Sequence, residues 1–466
     1  MDDESFRDRV STIDESGKRK WVFAFKPSGR YYNVRTYLSL LYLVLFFGLP
    51  FIKYKGEPFL LLNILERKFV IFGFVFWSQD FYLFGITMIL FIVFIIVFTV
   101  AFGRLFCGWA CPQTVFMEMV FRKLEYWIEG DANKQIKLNA MPWNGEKIRK
   151  KGIKMLVFYA VSFLIGNTFL AYIIGSDALL NIVLDPIGSH IKGLMAMLVF
   201  SAVFFFIYLW FREQVCTVVC PYGRLQGVLL DKNSIVVAYD YVRGEPRGKH
   251  KRNEVNDKLG DCVDCGLCVR VCPTGIDIRN GTQLECTNCT ACIDACDSIM
   301  DNLNLPRGLV RYASESTIAE NKPFLITTRL KAYIILLLLL LGIWMAILMS
   351  RTTVDLEVRK ASGQIYTERP SGEISNLYNI MLLNKSHRNF DNLTIEIEEP
   401  EGARIEWVGS EGRLISPIGE AVKYTFFIVI DPKLLHERKS KVVLLLKNEE
   451  HTVESTKTSF ISPIKK

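Results

Sequence analysis

The sequence predicts an α-helical polytopic membrane protein with five transmembrane helices, a cysteine-rich insert before the last span and a β-sandwich after it. Three observations predict this. Five apolar runs, about 36–52, 82–102, 155–176, 193–211 and 332–350, are long enough to cross a bilayer. Eight cysteines fall in two matched runs of four between residues 262 and 296. Beyond the fifth span, short alternating strands take over and cysteine disappears. The composition agrees: 50% of the 466 residues are hydrophobic, 33 are Phe, and mean hydropathy is +0.23. That is too apolar for an ordinary soluble enzyme. The formal charge of +8 is spread over the loops, and no nucleic-acid-binding motif accompanies it.

Residues 1–35 are polar, with Lys18-Arg19-Lys20 and then Arg30 and Arg35, and they lack the apolar core and cleavage site of a signal peptide. Residues 36–231 hold spans one to four. An extra apolar piece at 59–77 carries Glu66, Arg67 and Lys68 at its centre. Charges at mid-depth are costly, so this piece reads as an interfacial or re-entrant segment. Lys plus Arg counts are 8 before span one, then 4, 10, 1 and 16 in successive loops. The positive-inside rule then predicts a cytoplasmic N-terminus, cytoplasmic 103–154 and 212–331 loops, and a C-terminus on the outside. All 12 cysteines lie between residues 107 and 296, on or near the reducing side.

Residues 232–331 form the predicted cytoplasmic insert. Its cysteines are Cys262, Cys265, Cys268 and Cys272, then Cys286, Cys289, Cys292 and Cys296. Both runs read C-x2-C-x2-C-x3-C, the bacterial ferredoxin spacing for two [4Fe–4S] clusters, in which the fourth cysteine of each run ligates the other cluster. Cluster one is therefore assigned Cys262, Cys265, Cys268 and Cys296, and cluster two Cys286, Cys289, Cys292 and Cys272. Zinc ribbons use two separated pairs rather than a tight trio plus one. Asp240 and the basic stretch 243–252 read as a solvated linker.

Spans two and four each run into a second kind of cysteine unit. Cys107-Gly108-Trp109-Ala110-Cys111-Pro112 and Cys216-Thr217-Val218-Val219-Cys220-Pro221 are both C-x3-C-P. On a continuous helix, cysteines at i and i+4 share a face, about 5–6 Å apart; the proline ends that helix or starts another. Two such pairs on one membrane face are expected to converge into a four-thiolate site. Soft thiolates favour Cu(I), zinc or iron–sulfur chemistry. Plain helix packing and a transient disulfide are the competing readings. Arg104, Arg212 and Arg224 flank the units, either lowering thiol pKa values or anchoring helix ends. His190, near Asp185, reads as a solvated loop residue.

Span five is 332–350, and residues 351–466 are the predicted outer domain. Strands are expected at 354–359, 378–383, 393–398, 424–430, 442–446 and 453–460, which suits an Ig-like sandwich. With one methionine (Met381), three histidines and no cysteine, this reads as an interaction or lid domain rather than a metal site.

The strings GDCVDCGLCVRVCPTGIDIRNG (260–281), YDYVRGEPRG (239–248), ACIDACDSIMD (291–301), PRGLVRY (306–312) and GKRKWVF (17–23) closely resemble the FixG-type cytochrome c oxidase accessory proteins. In that family an aspartate after the last cluster cysteine is usual, as at Asp297. The resemblance implies a bacterial inner-membrane protein that reduces Cu(II) to Cu(I) for maturation of a cbb-type haem–copper oxidase. It carries over the eight cluster ligands and, as copper-associated cysteines, Cys107, Cys111, Cys216 and Cys220. It also implies the bilayer, an electron donor and oxidase assembly factors or copper carriers as partners, and leaves a homodimer open. Two other functions stand beside it: a quinol-oxidising iron–sulfur subunit feeding a larger complex, and a non-catalytic oxidase assembly scaffold.

Overall fold

In the computed structural model, residues 12–463 are described, apart from 14–15, 55, 65–67, 77–80, 250–258, 322–325, 351–353, 362, 364, 386–387, 410–411, 419–420, 436 and 450, and the side chains of 57, 187 and 224. Among the described residues, five helices are long and apolar enough to span a bilayer: Arg30–Phe51, Phe81–Phe102, Gly145–Ile174, Gly188–Phe211 and Thr328–Met349. Four of these helices start four to ten residues before their apolar runs, because polar turns are helical too. At the third, the Asn144 side chain caps the helix by accepting the Lys147 N–H at 2.9 Å.

The chain divides into two compact units, residues 1–50 with 84–343, and residues 51–83 with 344–466. In the first, the core beneath the paired cysteine units is aromatic. Phe121 stacks on Tyr208 at 4.3 Å between centroids and meets Phe158 edge-on at 4.9 Å. The cluster insert is pinned to the start of span one. Asp294, on the helix Ala291–Leu303, accepts the N–H groups of Tyr31 (3.0 Å) and Tyr32 (2.7 Å). It thus caps a helix 262 residues away in sequence, satisfying two of the donors every helix start leaves open. Gly29 lies so close to the Asp294 side chain that a Cβ there has no room.

One linker expectation changes, and the apolar segment before span two takes a defined fold. Asp240 is buried, caps Arg243 and pairs with Arg311 at 2.9 Å; Arg243 grips Asp261 and the carbonyls of Pro306 and Arg307. Residues 240–249 are therefore a structural clasp rather than a solvated linker, and 250–258 lie outside the described residues. The apolar piece at 59–77 is a three-stranded antiparallel sheet, Leu60–Asn63, Lys68–Ile71 and Phe74–Phe76. Phe72 and Gly73 both take positive φ in the tight turn between the last two strands, as a two-residue hairpin turn of type I′ requires. Phenylalanine is an unusual residue for that conformation, so the hairpin carried no turn signal. Glu66 and Arg67 lie outside the described residues.

The second unit ends in a sandwich of two antiparallel sheets. One orders Arg404–Val408, Ala421–Ile430, Ile374–Asn384 and Val354–Lys360, with Thr367–Glu368 also on Ile374–Asn384. The other orders Leu414–Ser416, Phe390–Glu399, Lys439–Asn448 and His451–Ile461. All six expected strands are present. The three short ones that were not expected lack a clear alternation. Tyr378, Leu382, Phe426, Leu444 and Phe460 fill the space between the sheets. The Tyr378 hydroxyl donates to the Ser459 carbonyl at 2.9 Å.

Candidate functional site

The two ferredoxin-type runs share one backbone device. Asp264 and Gly266 in the first run, and Asn288 and Thr290 in the second, all take positive φ. These residues flank the middle cysteine of each trio. Left-handed residues at such points wrap the chain about a small body and turn N–H groups inward. Thr290, β-branched, is held there against its preference. Helices start directly afterwards, Leu267–Arg270 and Ala291–Leu303, and carry Cys268, Cys292 and Cys296.

Cys262, Cys265, Cys268 and Cys296 line one cavity of ≈ 390 Å³, counting the solvent-open space at its mouth. Cys272, Cys286, Cys289 and Cys292 line a second of ≈ 340 Å³, and Cys268 stands in the wall of both. Burial pushes the Cys286 and Cys296 thiols up to about 12 and Cys268 up to about 11. Thiols this reluctant to ionise become thiolates when a metal centre supplies the positive charge. Among the described residues, no three His, Cys, Asp or Glu side chains sit as tightly as a single ion requires. Four thiols spread around an open space suit a polynuclear centre. The residues present fit two [4Fe–4S] clusters.

The two C-x3-C-P units are copies of one fold. In each, the second cysteine donates its N–H five residues back, Cys111 to Phe106 at 2.9 Å and Cys220 to Val215 at 2.7 Å. Each then turns extended (φ −62°, ψ 124° and φ −68°, ψ 115°), and the following proline opens a new helix. The expectation of two cysteines on one face of a continuous helix is therefore not met. Proline forces the preceding cysteine out of the helical region, and a π-type turn closes the unit instead. Such turns recur at functional sites.

The two units lie near one another, and their four cysteines are half-buried, although among the described residues no three of them sit as tightly as a single ion requires. Burial pushes Cys107 up to about 11 and Cys216 up to about 12, and in each case cysteines of both units add to the shift. Gln226, fully buried, donates to the Cys107 sulfur at 3.7 Å and so ties the second unit to the first. All four thiols are free.

The first unit sits directly on the second cluster loop. A Cβ on Gly108 would lie 2.5 Å from the Thr287 carbonyl oxygen and 2.7 Å from that of Asn288. Arg35, 5% exposed, donates to the carbonyls of Gly108 (3.0 Å) and Cys289 (2.8 Å). Arg104 reaches the Gly223 carbonyl of the second unit. The Trp109 indole donates to the Tyr312 hydroxyl at 2.9 Å, and that hydroxyl donates to Asn288 at 3.3 Å.

Behind the units lies a buried ionic lattice. Arg212 donates to both oxygens of Glu125 at 2.9 Å, and Lys154 reaches Glu125 at 2.5 Å and Glu129 at 3.3 Å. Arg19 pairs with Glu213 at 3.0 Å. Burial opposes the Glu125 charge, but Arg212 and Lys154 outweigh it and hold the carboxyl well below the usual range. Arg212 thus acts in the lattice rather than on a thiol, while the Arg224 side chain lies outside the described residues. His190 is exposed and pairs with Asp185 at 3.0 Å.

Residues 211–315 match the 4Fe-4S dicluster domain family, residues 84–134 a 4Fe-4S binding domain, and residues 344–463 the Ig-like fold at the C-terminus of FixG. Protein RdxA of Cereibacter sphaeroides is 35% identical over 405 residues, covering 84% of this chain and 85% of that protein. The chain belongs to the FixG family. Protein RdxB of the same organism is 33% identical over 79% of this chain and 80% of its own length. Nitrogen fixation protein FixG of Rhizobium meliloti is 37% identical over 65% of this chain, a match that spans 59% of that protein. As a FixG-family member, the protein is a membrane iron–sulfur electron-transfer protein. The 84–134 match holds only two cysteines, Cys107 and Cys111, half of a cubane's ligand set. Arg35, Gly108, Gln226 and Asn288 carried no signal as part of this site; Gly108 and Gln226 lie in or beside a C-x3-C-P unit, which was their one clue.

Proposed function

We propose that this FixG-family protein is a cupric reductase that supplies Cu(I) for assembly of a cbb-type cytochrome c oxidase. In this reading the N-terminus and clusters face the cytoplasm and the Ig-like domain lies outside. Cys262, Cys265, Cys268 and Cys296 hold one cluster; Cys272, Cys286, Cys289 and Cys292 hold the other. Copper, the substrate, is received by Cys107, Cys111, Cys216 and Cys220. One observation supports the reading: the thiols of the two C-x3-C-P units lie close enough to influence one another, and the first unit packs directly on the second cluster loop.

Bound clusters supply one-electron carriers whose potentials reach about −400 mV or lower in ferredoxins. The chain's own residues do the rest. Cys107 and Cys216 hold protons at neutral pH, so metal binding releases them. Each Cu(II) gains one electron and leaves as Cu(I). Soft thiolates hold Cu(I) more tightly than Cu(II), which raises the couple's potential and favours reduction. Gln226 and Arg104 keep the two units together while the ligand set reorganises. A copper carrier or oxidase assembly factor then takes the Cu(I).

The test is anaerobic. Purified protein is reduced, its clusters are confirmed by electron paramagnetic resonance, and Cu(II) is added with a Cu(I)-selective chelator. Wild type is expected to form Cu(I) in proportion to the electrons it carried, and Cys107→Ser/Cys111→Ser and Cys216→Ser/Cys220→Ser to be slow with clusters intact. Variants that match wild type remove the reading. Reduction of the clusters by quinol would then favour the quinol-oxidising function, and active oxidase in cluster-ligand mutants would favour the scaffold.

A further inference from the structure

We infer that electrons leave the cluster insert through its 286–292 loop and cross to Cys107 at the contact between Gly108 and Asn288, with Arg35 as the positioning residue that clamps the junction. The route is a property of the fold; only the identity of the final acceptor rests on the copper reading above.

The two cysteine loops are unequal. Cys265 of the first is exposed, whereas Thr287, Asn288, Cys289 and Thr290 of the second are buried. The first loop is held by groups of the insert itself: Gly248 donates to the Cys262 carbonyl at 2.9 Å, and Arg279 grips Asp264. The second loop is held from within the insert by Val237 and Tyr312, and in addition by the membrane part of the chain. Gly108, between the two cysteines of the first C-x3-C-P unit, meets it backbone to backbone, with no room for even a methyl group. Electron tunnelling falls steeply with distance, so this contact is the short path between the insert and the thiols. The exposed side of Cys265 is where a low-potential one-electron donor protein has access. One electron enters there and one leaves at the thiols, where Cu(II) becomes Cu(I); no protein bond is made or broken.

Arg35 does two things at the junction. Its guanidinium joins the Gly108 and Cys289 carbonyls with one fork, fixing the gap. It also places a buried positive charge beside the 286–292 loop. A cation near a cluster stabilises the added electron, and charge and hydrogen bonding set cluster potentials. The electron is therefore drawn toward the exit loop before it crosses.

The experiment uses the full-length protein in detergent with both clusters present. Midpoint potentials are read by paramagnetic resonance. The Cys262→Ser and Cys286→Ser variants identify which signal belongs to which loop. Arg35→Gln is expected to lower the potential of the cluster altered by Cys286→Ser and to leave the other in place, and Arg35→Lys to recover most of the loss. Gly108→Ala is expected to keep iron content while pushing the 286–292 loop away from the first unit, since the contact has no room for a Cβ. It slows reoxidation by Cu(II) several-fold, while reoxidation by ferricyanide, which reaches the exposed Cys265 side, stays at the wild-type rate. Arg35→Gln moving neither cluster, both equally or only the Cys262 cluster overturns the inference, as does an unchanged copper rate in Gly108→Ala. If wild type does not reduce Cu(II), the copper reading falls, and the potentials still decide the route.

Discussion

Replacing Arg212 tests whether the ionic lattice, rather than the apolar contacts around it, holds the second C-x3-C-P unit in place. Arg212 and Glu125 are each 2% exposed and joined by two bonds of 2.9 Å. At that depth solvent screening is negligible, so no discount applies. Removing one partner of a buried pair costs about 3–5 kcal/mol when the other's charge is stranded. Glu125 keeps Lys154 at 2.5 Å, so Arg212→Ala is expected to fall at the low end, about 3 kcal/mol. Arg212 also sits at φ 52°, ψ −122°, a region that disfavours side chains by about 1–3 kcal/mol. Arg212→Gly relieves the strain and is expected to be less harmful than Arg212→Ala by about that amount. The double variant Glu125→Gln/Arg212→Met leaves no orphaned charge on either side and is expected to recover much of the loss. Glu125 also sets the sign of a pH effect. Its folded pKa is depressed, so its contribution is present above the unfolded value near about 4.3 and is lost as pH falls through the folded one. The assay is equilibrium unfolding in mixed micelles for wild type, Arg212→Ala, Arg212→Gly, the singles Glu125→Gln and Arg212→Met, and their double variant. Arg212→Ala within about 1 kcal/mol of wild type, or a double variant equal to the sum of the singles, refutes the reasoning.

Three further outcomes are expected. Asp294→Ala removes the cap on span one and should cost about 1–2 kcal/mol in the same unfolding assay, with Asp294→Asn milder because one acceptor remains. Iron analysis should give about eight irons per chain, unchanged in Cys107→Ser/Cys111→Ser; about twelve would mean that the C-x3-C-P thiols hold a third cubane instead of copper. Cu(I) affinity, measured by competition with a chelator, should rise with pH across the neutral range. Cys107 at about 11 and Cys216 at about 12 are protonated there and must each lose a proton on binding. A pH-independent affinity would place copper elsewhere.

The signals legible in the chain were local. The C-x2-C-x2-C-x3-C spacing suggested four-and-four cysteine sets; Cys296 lines a cavity with Cys262, Cys265 and Cys268, and Cys272 lines a second with Cys286, Cys289, Cys292 and again Cys268. Apolar runs located five spans because a bilayer demands length, which sequence records directly. Alternation found the six longer strands of the sandwich. The misreadings arose where backbone geometry overrode pattern. Phe72 occupies a turn conformation that its side chain does not advertise, so the hairpin within the 60–76 segment carried no turn signal. In the C-x3-C-P units, proline pulled Cys111 and Cys220 out of the helix that i, i+4 spacing implied.

Sequence alone determined which atoms are available: twelve thiols in two kinds of spacing, in the two stretches that follow spans two and four, in a chain that must cross a membrane. Tertiary structure decided which of them are neighbours. Arg35 meets partners 73 and 254 residues away, Gln226 reaches Cys107 across 119, and Asp294 caps a helix across 262. No window of sequence contains both ends of such contacts. They exist because burying the spans and the insert together leaves polar groups that must be satisfied by whatever the fold brings within reach. The junction between the second cluster loop and the first C-x3-C-P unit is a product of that constraint.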